Sequence, residues 1–103
     1  MSGTTASLSA DIVIIGGAVI GSSTAYHLAK MCAPSTRILV IEKDPTYQFC
    51  ASALSAASIR QQFSTEVNIK ISLYGISFLR AIGDHLDVNG EKPAIDLHEG
   101  GYL

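Results

Sequence analysis

Ile12, Val13, Ile14 and Ile15 form an unbroken β-branched apolar run that stops at Gly16, and an apolar pattern with helical spacing starts directly after it. A continuous run of this length fits a strand covered on both faces, as in a parallel sheet. That strand is predicted over residues 11–15. A helix is predicted over residues 18–32, with Ile20, Thr24, Leu28 and Met31 recurring along one side. Pro34 and Ser35 close it, and a second β-rich run follows over residues 37–41. Asp44, Pro45 and Thr46 then mark a turn-rich loop. Small residues dominate from Cys50 to Ser58 and lead into Ile59-Arg-Gln-Gln-Phe63. A longer helix is predicted over residues 65–86, because Val67, Ile71, Tyr74, Phe78, Ile82 and Leu86 repeat every three or four positions. Ser64 is its expected N-cap. Gly75 interrupts this helix without ending it, at a cost of about 1 kcal/mol relative to Ala. Asn89-Gly90 predicts a turn, and residues 96–103 open a further strand-like element.

Strand, glycine turn, helix and strand in this order predict an α/β fold, a Rossmann-like βαβ unit that starts a doubly wound parallel sheet. Such a turn attracts anions. The first N–H groups of a helix lack intrahelical partners, and the helix dipole adds partial positive charge there. A pyrophosphate suits the arrangement, so Gly16, Gly17, Ala18, Val19, Ile20 and Gly21 are candidate contacts. Glu42 ends the second strand about twenty positions beyond Gly21, the spacing of a dinucleotide fingerprint. The second strand lies beside the first, so its end arrives where a carboxylate can accept hydrogen bonds from ribose hydroxyls. A carboxylate there repels a ribose phosphate, which disfavours a phosphorylated nicotinamide cofactor. The middle fingerprint position is Ala18, where a glycine is usual. With helical dihedrals its methyl is tolerable; it moves the phosphates outward, or Gly17 takes the close approach. The plain alternative is a tight βαβ turn whose strand-end acid binds nothing.

A net charge of −2 gives no electrostatic footprint for nucleic acid. The longest apolar stretch, residues 12–20, is too short and glycine-rich to span a bilayer. Residues 1–10 are rich in Ser, Thr, Gly and Ala and lack Lys and Arg. They are read as a disordered head, neither secretory signal nor transit peptide, which makes the cytoplasm the expected location. Cys32 and Cys50 suit a reduced compartment, and His27, His85 and His98 are too dispersed for a metal cluster. A 48% hydrophobic content calls for more cover than two strands and two helices provide. The chain is therefore expected to be the front of a larger protein.

Three segments resemble the FAD-dependent oxidoreductases of the D-amino-acid oxidase type, which include sarcosine oxidase, glycine oxidase and dimethylglycine dehydrogenase. They are residues 11–29, opening Asp-Ile-Val-Ile-Ile-Gly-Gly; residues 38–44, Ile-Leu-Val-Ile-Glu-Lys-Asp; and residues 51–64, Ala-Ser-Ala-Leu-Ser-Ala-Ala-Ser-Ile-Arg-Gln-Gln-Phe-Ser. The third discriminates most. The resemblance implies a flavoenzyme that oxidises the C–N bond of an amine or amino acid by hydride transfer to the flavin, with this chain holding the ADP half of FAD. Residues 11–95 would be the N-terminal part of the FAD-binding domain, and residues 96–103 the first strand of a substrate domain. Lys43 joins Glu42 among the implied cofactor contacts. Ser52 and Ser55 can donate to phosphate or ribitol oxygens, and Ala57 stands where relatives often have Gly. The alternative for this loop is a packed helix–strand junction. Arg60 occupies a place where a basic residue approaches the flavin ring; the alternative is a surface Arg paired with a carboxylate. No His lies between Asp44 and Asp84, so FAD is expected to be non-covalent in this stretch. Catalytic residues are expected beyond Leu103. A nicotinamide-dependent dehydrogenase and a non-catalytic nucleotide-binding module remain the competing readings.

Overall fold

The computed structural model describes residues 7–100. The chain forms β1 (Ile12–Ile15), α1 (Val19–Met31), β2 (Ile38–Ile41), α2 (Glu66–Arg80) and α3 (Ile82–His85). It divides into two units, one ending at Ser58 and the other starting at Ile59.

In the first unit β1 and β2 pair in parallel, in register from Ile12 opposite Ile38 to Ile15 opposite Ile41. α1 is the crossover between them. Seven of the eight strand residues are β-branched, which favours the extended backbone. Each strand is one residue shorter than the sequence predicts, because Asp11 and Arg37 act as a clasp instead. The Asp11 amide donates to the Arg37 carbonyl (2.9 Å), and the Asp11 carboxylate accepts from the Arg37 amide (2.9 Å). α1 begins at Val19; Ala18 is its N-cap with extended dihedrals (φ −74°, ψ −157°), not the helical residue expected. At the other end the Cys32 amide bonds the Leu28 carbonyl and closes the helix. Residues along β1 alternate between partly covered Ile12 and Ile14 and open Val13 and Ile15. The all-apolar run thus has one face turned from solvent among the described residues, although its composition suits cover on both.

In the second unit α2 caps at Thr65, not Ser64, and no side chain caps it. Glu66 and Lys70 form an ion pair one turn apart (2.7 Å). Gly75 lies inside the helix without breaking it, as expected. The helix predicted to run to Leu86 breaks at Ala81 (φ −108°, ψ 20°), whose amide is shared between the Ser77 and Phe78 carbonyls. Such sharing is typical of a tightening last turn. α3 then lets the His85 ring stack on Phe78, with centroids 4.4 Å apart. Asn89 and Gly90 both have positive φ (54° and 86°), the two-residue hairpin geometry their pairing predicts. Val88 and Glu91 exchange both backbone hydrogen bonds across it. No strand forms over residues 96–100; residues 101–103 lie outside the described residues. Likewise, of the predicted head only residues 7–10 are described, and they carry no regular element. Among the described residues Ile76 is the one buried hydrophobic side chain.

Candidate functional site

The site is the junction between β1 and α1, and its shape follows from the backbone of three glycines. Gly16 continues the sheet ladder, its amide donating to the Ile41 carbonyl (2.7 Å), and then turns the chain with φ +100°. A side chain there would meet open space, so glycine is needed for its dihedral and not for room. Gly17 is buried, and its amide donates to Glu42 Oε1 (2.9 Å). Gly21 has no latitude at all: a Cβ would lie 1.7 Å from the Gly16 carbonyl oxygen. The first turn of α1 therefore packs directly on the backbone of the preceding strand end.

Ser22 braces this turn by donating its hydroxyl to the Gly17 carbonyl (2.5 Å). The first helical bond runs from the Ser22 amide to the Ala18 carbonyl (2.9 Å). The amides of Val19, Ile20 and Gly21 consequently have no acceptor among the described residues, and no acidic residue stands in this first turn. A cleft of about 370 Å³ opens here, lined by Gly16, Ala18, Val19, Ile20, Gly21 and Thr24 and across it by Ala51 and Ser52. Three unpaired N–H groups at the start of a thirteen-residue helix, facing a cleft free of carboxylates, form an anion cradle.

Glu42 stands beside the cradle. Its second oxygen accepts the Asp44 amide (2.8 Å), so each oxygen is already anchored to backbone. The Gly17 amide, and after it the Asp44 amide, hold its carboxyl below the ordinary value of 4.5. A carboxylate offers about four lone-pair sites, so two remain for hydroxyls of a ligand. Asp44 in turn accepts from the Thr46 hydroxyl (2.6 Å) and amide (3.0 Å), which pulls its own carboxyl down and fixes the loop after β2.

The remaining sequence candidates are placed differently. Lys43 is exposed, adding only a minor attraction that favours the Glu42 carboxylate. Ser55 donates its hydroxyl to the Ser52 carbonyl (2.9 Å) and accepts from the Ala57 amide (3.2 Å), so its proton is committed to its own turn. Ala57 has φ +53°, the left-handed conformation for which glycine is the natural residue. Ala57→Gly is expected to raise stability by up to about 1 kcal/mol, since relief of about 1–2 kcal/mol of left-handed strain outweighs glycine's entropic cost. Chemical denaturation of both proteins reads this directly. Arg60 belongs to the second unit, where its guanidinium lies 4.6 Å over the Phe63 ring; its recorded partner is an aromatic face, not the carboxylate of the surface alternative. The sequence reading missed Ser22 and Tyr47, whose hydroxyl packs on Gly17. A Ser in a helix carries no signal that it bonds back to a turn five residues away. Among the described residues no helix is long and apolar enough to cross a membrane, and no His, Cys, Asp and Glu gather as a metal site.

Comparison with known proteins agrees with this geometry. The FAD dependent oxidoreductase (DAO) family profile matches residues 11–103. The chain is 44% identical over 97 residues to FAD-dependent oxidoreductase domain-containing protein 1 of Xenopus laevis, covering 91% of this chain and 19% of that protein. It is 41% identical over 96 residues to the Bos taurus protein of the same name, covering 90% and 20%. The Drosophila melanogaster homolog is 38% identical over 93 residues, covering 90% and 18%. The chain thus spans about a fifth of the length of the curated relatives it matches. These carry the name of an FAD-dependent oxidoreductase domain, not of a sarcosine or glycine oxidase. No solved structure matches the chain. The chain belongs to the FAD-dependent oxidoreductase family.

Proposed function

We propose that this FAD-dependent oxidoreductase chain binds the ADP half of FAD at the β1–α1 junction and serves a protein that oxidises the C–N bond of a small amine or amino acid. The observation that carries the binding reading is the pairing of three acceptor-free amides, on Val19, Ile20 and Gly21, with a Glu42 carboxylate fixed on Gly17. The two features suit the two chemistries of one ligand. The amides and the helix dipole take the pyrophosphate, and the remaining lone pairs of Glu42 take ribose hydroxyls.

When bound, FAD supplies two-electron redox chemistry. What the chain itself does is bind and orient. Gly16 turns the backbone so that the amides of α1 face the cleft. Gly21 keeps the helix start close, Ser22 holds the Gly17 carbonyl, and Glu42 holds the Gly17 amide on the other side of the same α-carbon. Ser52 also lines the cleft, with its hydroxyl 3.4 Å from Cys50 Sγ. The amine or amino-acid substrate class is supported by the likeness of the Ala51 to Ser64 segment to the D-amino-acid oxidase type. A nicotinamide cofactor is disfavoured by that segment and by the family.

The absorption spectrum of the full-length protein tests the binding reading. Flavin bands that persist through gel filtration and are released by denaturation, leaving free FAD, are expected. A colourless protein that takes up NAD and not FAD overturns it. Reduction of the flavin bands by small amines or amino acids under anaerobic conditions tests the substrate class; bleaching only by substrates lacking a C–N bond sinks that part.

A further inference from the structure

We propose that Tyr47 is a further cofactor-positioning residue, whose phenol hydroxyl hydrogen-bonds a ribose hydroxyl of the dinucleotide held at Glu42; this rests on the FAD-binding reading above. Tyr47, like Ala57 further along the connection after β2, has left-handed backbone (φ +58°). Such a conformation is costly for a residue with a Cβ, and persists where its surroundings hold it. Here they do. The Asp44 carbonyl accepts the Tyr47 amide (3.0 Å), the Asp44 carboxylate ties down Thr46, and the Tyr47 carbonyl accepts the Cys50 amide (3.2 Å).

The effect of this reversal is to carry the phenol back onto the glycine turn. A Cβ built on Gly17 would lie 3.2 Å from Tyr47 Oη, and 3.4 Å from both Glu42 Cβ and Val40 Cγ1. Tyr47 Oη and Glu42 therefore flank the same α-carbon. This is the Glu42 side of the turn and not the helix start, so the hydroxyl serves the ribose and not the pyrophosphate. The phenol oxygen has no hydrogen-bond partner among the described residues, so both its donor and acceptor capacity stay available to a ligand. With 38% of the residue exposed, the ring is braced on the turn while one side stays open to a ligand. The geometry also gives Gly17 a second reason to lack a side chain: it leaves space for Tyr47.

The test compares ADP with 2′,3′-dideoxy-ADP by calorimetry on the full-length protein stripped of flavin, as wild type and as Tyr47→Phe. The Phe variant keeps the ring, so an unchanged melting temperature is expected. ADP should bind it about tenfold more weakly, the scale of one hydrogen bond. The dideoxy ligand should bind both proteins equally, because the partner hydroxyls are gone. Tyr47→Gln, which keeps a hydrogen-bonding end, should recover part of the loss for ADP alone. An equal loss for both ligands means that the hydroxyl acts only through the protein fold and overturns the assignment, as does no loss for either. A wild-type protein that binds neither FAD nor ADP brings down the functional reading itself, and Tyr47 with it, whereas normal wild-type binding with an indifferent Phe variant removes Tyr47 alone.

Discussion

A protein carrying Gly21→Ala is expected to emerge without flavin and to melt well below the wild type. The added Cβ would sit 1.7 Å from the Gly16 carbonyl oxygen and 2.8 Å from its carbon. Both are backbone atoms, and a flexible side chain cannot swing aside to relieve the contact. Either α1 moves off the strand end or the Gly16 peptide rotates. The first shift spreads the amides of Val19 to Gly21, and the second swings the Gly17 amide, which shares the Gly16 carbonyl's peptide plane, away from the Glu42 carboxylate. Overpacking of this kind costs up to about 3 kcal/mol, a large part of an ordinary domain's stability of about 5–15 kcal/mol. Thermal denaturation and the flavin-to-protein absorbance ratio read the two consequences. Retention of stoichiometric FAD by this variant would show that the turn is not the phosphate site. Gly16 is the contrasting control: it has room for a side chain, so its replacement acts through the φ of +100° alone.

Glu42→Ala is expected to weaken FAD binding by about ten- to a hundredfold, the scale for hydrogen bonds to a charged group. The substitution removes the ribose acceptor and leaves the Gly17 and Asp44 amides without their carboxylate. Glu42→Gln should fall between, because one amide oxygen can serve only one of those N–H groups well and its NH2 confronts the other. A pH dependence follows with a fixed sign. The carboxyl is held below its ordinary value of 4.5 in the folded chain, so its bonds are complete above that value and are lost as the pH falls through the lowered folded one. FAD release by the wild type should accordingly begin below pH 4.5 and should lose that acid limb in the Gln variant. Fluorescence of liberated flavin follows it. A Glu42→Ala protein that binds FAD as the wild type does would reduce Glu42 to a strand-end acid that serves only the loop.

The β-branched runs, the glycine turn and the acid after β2 were legible because each depends on neighbours in sequence. Four such residues favour a strand wherever they are placed, and a strand meeting a helix across a few residues needs glycine to turn. The Asn89-Gly90 turn was legible for the same reason, since positive φ at two successive residues is a local demand. Ala57 was marked only by the resemblance, as standing where relatives often have Gly; its left-handed backbone came from the structure. Distances across the chain could not be. That Gly21 is pinned by the Gly16 carbonyl, and Gly16 only by its dihedral, depends on where α1 lands on β1. The break at Ala81 and the stacking of Phe78 on His85 escaped an apolar stripe that runs unbroken through both helices. The bond from the Gly17 amide to Glu42, the bond from the Ser22 hydroxyl to the Gly17 carbonyl and the approach of Tyr47 join positions up to thirty residues apart in sequence. Local sequence determined which backbone shapes the chain adopts; only the packing of the crossover helix against the parallel strands decided which amides remain free and which side chains stand beside them.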